Sequence, residues 1–112
     1  MEQYTTYAVQ KAVELLAIDS PTGFTGAAAD WVRAEFEALG YRAELTNKGG
    51  VLVDLGGSDP QNALLLEAHT DTLGGMVAEI KANGRLRLTN LGGMRAENSE
   101  TENVRVYTRS GR

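Results

Sequence analysis

A chain of 112 residues with 42% hydrophobic content fits one small globular domain or a piece of a larger one. Its net charge of −4 and pI near 4.9, with the basic residues scattered, argue against a nucleic-acid partner, because neutralising phosphates takes concentrated Lys and Arg. No run approaches the roughly 18 to 20 apolar residues that cross a bilayer, and the opening MEQYTTYAVQ lacks a basic segment followed by an apolar one. A cytoplasmic protein with no membrane partner is expected.

Residues 6–18 place Val9, Ala12, Val13 and Leu16 at helical spacing, with Gln10, Lys11 and Glu14 on the other side. This predicts an amphipathic helix that ends at DSPTG, where Pro21 turns Ser20 away from the helical region. A second helix starts near Thr25 or Gly26. It carries Ala28, Trp31, Val32, Phe36 and Leu39 on one face and ends where Gly40 suits the position after the cap. Its charged residues, Asp30, Arg33, Glu35 and Glu37, read as a solvated face.

Beyond Gly40 the pattern changes to short β-like runs. YRAELT alternates, NKGG turns, VLVDL follows, GGSDPQN is a polar loop, and ALLLEA, residues 63–68, is continuous enough for a strand covered on both faces. MVAEI and RLRLTNL are joined through Asn83 and Gly84 as a hairpin. A charged stretch then leads to a last alternating run, VRVYT. The layout is α/β, with a candidate domain boundary at Gly74-Gly75.

The one histidine of the chain stands in EAHTDTLGG, at the end of the ALLLEA run. In extended backbone His69 and Asp71 lie on the same side, at the C-terminal strand end where open α/β sheets place ligands. A neutral imidazole can bind a metal through one nitrogen while a carboxylate holds its other N–H. On that reading His69 is a metal ligand and Asp71 the catalytic-site carboxylate that orients it. The tripeptide alone also fits a histidine at a strand end with Asp71 in a turn. The chain has no cysteine, so any metal would rest on histidine, carboxylates and water.

The wider segment EAHTDTLGGMVAEIKANGRLRLTNLGG resembles the tetrahedral and glutamyl aminopeptidases, a family of cocatalytic dinuclear metallopeptidases. LLAIDSPTGFTGAAADWVRAEFEALGY is similar to that family's opening helices around a Ser-Pro-Thr-Gly loop, and NKGGVLVDL resembles the approach to its next strand. The resemblance implies a zinc-exopeptidase-like α/β sheet domain in residues 1–73. It also implies the first strands of an inserted β-barrel dimerisation domain in residues 74–112. It further implies two divalent metals per complete site, zinc or cobalt, peptide substrates, and a homo-oligomer of twelve subunits.

Only His69, as ligand, and Asp71, as its supporting carboxylate, carry over from that family's metal centre. A second His, a general-base Glu and further carboxylate ligands are required as well, so this chain reads as an N-terminal piece of a metal-dependent aminopeptidase, inactive by itself. Two alternatives are a member of the wider zinc dipeptidase and deacylase group, and a non-catalytic fragment whose strands pair with another chain. Other sites find little support. GGSDPQN lacks the Gly-Lys-Ser/Thr ending of a phosphate loop, Ser20 is not in a Gly-x-Ser-x-Gly elbow, Glu67 and Glu79 read as structural, and the aromatics read as packing residues.

Overall fold

The computed structural model describes residues 1–110. The chain forms two compact units, Met1–Thr72 and the part from Leu73 onward. Helices and strands are mixed, as an α/β reading requires, with two separate two-stranded antiparallel sheets.

Helix α1 spans Glu2–Leu16 and so begins ahead of its expected start. The Met1 carbonyl accepts from the N–H groups of Tyr4 and Thr5 at 3.1 and 3.2 Å, and Glu2 puts negative charge at the positive end of the helix dipole. The Thr5 and Thr6 hydroxyls donate back to the carbonyls of Met1 and Glu2, which keeps both threonines inside the helix.

The inward side of α1 also differs from expectation. Val9, Val13 and Leu16 are exposed, whereas Lys11, Glu14 and Leu15 are half-buried. Lys11 Nζ donates to Glu14 and to Glu35, each at 2.8 Å. It also stands 5.6 Å from the Trp31 ring centroid and 5.8 Å from that of Tyr7. A cation between two carboxylates and two ring faces has directional partners, whereas an aliphatic stripe has none. That set of contacts decides the rotation of α1.

Helix α2, Gly26–Ala38, buries Ala28 and Ala29. It packs against a hairpin of β1, Ala43–Leu45, and β2, Val51–Val53, where the buried Ala43 pairs with Val53. At the end of α2, Gly40 has φ +90°. Its N–H donates to the Glu37 carbonyl at 2.9 Å, and the next N–H, of Tyr41, donates to Phe36 at 3.0 Å. This is a Schellman cap, completed by the edge-on contact of the Phe36 and Tyr41 rings at 6.4 Å. The NKGG turn closes β1 onto β2 with Thr46 N–H donating to Gly50 O at 2.8 Å.

In the second unit β3, Gly74–Ile80, pairs with β4, Leu86–Leu91, and the ladder carries a bulge between Val77 and Glu79. Lys81 N–H donates to Arg85 O at 2.8 Å across the Asn83-Gly84 turn. Glu79 lies opposite Arg87 and accepts from its Nε at 2.8 Å. A 3-10 turn follows at Ala96–Ser99.

Two expected strands are not formed. Residues 63–68 pair with no strand among the described residues, and Leu64, Leu65 and Leu66 are 83%, 73% and 77% exposed. An interior strand needs neighbours at both edges, and among the described residues each of the two ladders consists of its own two strands alone. VRVYT likewise belongs to no strand. Among the described residues no helix is long and apolar enough to cross a membrane.

Candidate metal-ligand site

The segment between α1 and α2 supplies half of the site. Phe24 N–H donates to Pro21 O at 2.7 Å, and Gly23 has φ +86°. That combination is a type II turn in which the third residue needs positive φ and Thr22 takes the corner. Just before the turn Ser20 is 2% exposed. Its carbonyl accepts from Thr72 N–H at 2.7 Å, and Pro21 and Thr72 form a parallel bridge. The Ser20 hydroxyl is buried without a protein partner.

These main-chain contacts bring the turn beside the His-Thr-Asp-Thr segment. Thr22 Oγ1 donates to Asp71 Oδ2 at 2.7 Å. The other carboxylate oxygen, Oδ1, lies 3.0 Å from His69 Nδ1, and the Asp71 main-chain oxygen is 3.0 Å from the same ring atom. The Thr22 hydrogen bond, then the neighbouring His69, hold the Asp71 carboxyl below its ordinary pKa, against partial desolvation that acts the other way.

His69 and Asp71, expected to meet, are thus in contact, although residues 63–68 before them form no ladder. Nδ1 faces two acceptors, an arrangement that favours the ring proton at Nδ1 and the lone pair at Nε2. The His69 side chain is 84% exposed, which gives Nε2 an open approach. An imidazole oriented by a carboxylate and the main-chain oxygen of the same residue suits one coordination position of a divalent metal. It cannot complete a centre alone, and among the described residues no group of three or more His, Cys, Asp or Glu side chains could hold an ion. Glu79 is engaged with Arg87 in the second unit.

Sequence reasoning missed Thr22. The SPTG loop is visible in the sequence as a helix stop and a turn, but nothing local ties its hydroxyl to a carboxylate 49 positions away.

Residues 49–112, more than half of the chain, match the family described as M42 glutamyl aminopeptidase. The chain belongs to that family. Among curated M42-like relatives, it is 38% identical over 99 residues to YhfE of Bacillus subtilis (strain 168), which bears an aminopeptidase name. That alignment covers 88% of this chain and 29% of the relative. It is 34% identical over 104 residues to the glutamyl aminopeptidase of Lactococcus lactis subsp. cremoris (strain MG1363), covering 91% of this chain and 29% of the relative. The chain therefore spans under a third of the length of these M42-like proteins. The span that matches the M42 family contains His69 and Asp71, while Thr22 lies ahead of it.

Proposed function

We propose that this chain is the part of a metal-dependent aminopeptidase that contributes His69 as a metal ligand and Asp71 as the carboxylate that orients it. The observation that carries this reading is the approach of His69 Nδ1 to Asp71 Oδ1 at 3.0 Å on an exposed ring, in a chain of the M42 family. Residues 1–73 then belong to a zinc-exopeptidase-like α/β domain and residues 74–112 begin an inserted β-barrel, a division supported by the separation of the units at Thr72 and Leu73. The final two residues of the second span lie outside the described residues.

Substrates are peptides with a free N-terminal residue, a reading supported by the names of both relatives. Two divalent ions, zinc or cobalt, supply carbonyl polarisation and an activated water when bound. This chain's own contribution is narrower: it presents one nitrogen and keeps the ring from turning. A homo-oligomer of twelve subunits and a cytoplasmic setting complete the proposal, the second supported by the absence of cysteine.

A second reading, a non-catalytic strand-pairing piece, is favoured by one observation, the exposure of Leu64, Leu65 and Leu66. The coding frame after residue 112 separates the two. A continuing frame with a second His and paired glutamates supports the enzyme, and its product should hydrolyse aminoacyl-anilides with zinc or cobalt and lose turnover in His69→Ala. A stop codon there, or turnover that survives His69→Ala, would overturn it. The 112-residue chain itself should show no turnover with zinc, cobalt or manganese.

A further inference from the structure

The contacts of Asp71 divide its two oxygens between two partners. Oδ1 faces the His69 ring, and Oδ2 is occupied by the Thr22 hydroxyl at 2.7 Å. A carboxylate bonded on one oxygen only can rotate about its χ2 bond and exchange oxygens. With Oδ2 held from the side, Oδ1 is left at the ring. The hydroxyl is itself placed by a fixed turn, Phe24 N–H to Pro21 O at 2.7 Å, and that turn is tied to the site by Thr72 N–H donating to Ser20 O at 2.7 Å.

We propose that Thr22 is a positioning residue of the His69 site: by binding Asp71 Oδ2 it fixes the carboxylate that, together with the Asp71 main-chain oxygen, favours the Nδ1–H tautomer of the imidazole, so that Nε2 faces outward as the donor atom. Thr22 acts through Asp71 and touches neither the ring nor a ligand. This inference rests on the reading of His69 as a ligand oriented by Asp71. It assigns to the SPTG loop a task beyond ending α1.

Because the chain has a single histidine, labelling histidine with 15N gives the signals of one ring. The test is a long-range 1H–15N spectrum of the 112-residue chain with chelator at pH 8.5. The unaltered chain should show the Nδ1–H tautomer in excess. Thr22→Val, which keeps the shape and removes the donor, should shift the tautomer ratio toward Nε2–H by about threefold to tenfold, the size expected for one net hydrogen bond. Thr22→Ser should restore it.

A ring already in the Nε2–H form in the unaltered chain, an unchanged ratio in a folded Thr22→Val chain, or a serine chain that behaves like the valine chain would each overturn the proposal. Should the valine chain fail to fold, the χ1 scalar couplings of Thr22 in the unaltered chain decide: one fixed rotamer supports the clamp, and averaging over rotamers overturns it. None of these readouts contains metal or substrate. An unchanged ratio or a serine chain like the valine chain overturns the role of Thr22 and leaves the aminopeptidase reading intact. An Nε2–H ring in the unaltered chain also removes Nε2 as the donor atom. Loss of the aminopeptidase reading by the frame or turnover test leaves the tautomer result standing.

Discussion

Residues 63–68 and 69–72 adjoin each other in the chain, yet they differ in the contacts that hold them. The apolar run ALLLEA lies exposed without a ladder, whereas the polar group after it is tied through Thr72 to Ser20, through Asp71 to Thr22, and within itself from His69 to Asp71. Apolar burial is non-directional and grows with the area that can be covered, so three leucines gain nothing until a second surface meets them. A hydrogen bond needs only one partner in the right place. The site end of the segment is organised without the strand that was expected to carry it.

The comparison breaks most sharply at Gly23. Its φ of +86° is one that a side chain rarely adopts, and a Cβ there would meet nothing within 4 Å, so the cost of Gly23→Ala is that of the backbone. We expect a loss of about 1 to 2 kcal/mol, read from a urea melt. Hydrogen exchange should accelerate at the Thr72 amide and stay unchanged at Leu65. Equal changes at both amides would mean that the two segments are coupled after all.

A smaller break comes from acid, which reaches the polar contacts and leaves the leucines untouched. Lys11 first, then Gln10, hold the Glu14 carboxyl below its ordinary 4.5, so its contribution to stability is present above that value and is lost as pH falls through the lowered one. Lys11 is shifted upward by Glu14 and Glu35, so it stays charged through this range and loses these contacts from its own side only in strong alkali. Amide protection factors in α1 should therefore fall below pH 4.5, and Glu14→Gln should flatten that fall. An acid limb unchanged in the variant would remove Glu14 from the account.

The smallest effect sharpens the other side. Leu65→Thr should alter folding stability by no more than about 0.5 kcal/mol, as exposed positions do, while reducing concentration-dependent association in a sedimentation run, since exposed apolar patches recruit other chains. A loss of several kcal/mol would show that Leu65 is packed in solution.

What was legible in the sequence is what is decided locally. The α2 cap follows from Gly40 and its neighbours, the β3–β4 turn from Asn83-Gly84, and the meeting of His69 with Asp71 from a spacing of two. The rotation of α1 was not legible, because periodicity marked Val9, Val13 and Leu16 while the outcome depended on Lys11 finding Glu35 and Trp31 in another helix. The ALLLEA and VRVYT runs have strand composition, but a strand needs a partner edge, which composition does not report. Of the candidate site, the ring and its carboxylate could be read from the sequence and the hydroxyl on the far side of that carboxylate could not.

The spacing of these contacts along the chain also sets when each can form. His69 and Asp71 are two residues apart, so the ring can meet its carboxylate in the time of local chain motion, before the unit has folded. Thr22 and Asp71 are 49 apart, and their ends meet only against a loop-closure entropy that a short segment never faces. Refolding followed at the imidazole and at the Thr22 methyl should accordingly run on two clocks, the first set by a few bonds and the second by the closure of the whole unit.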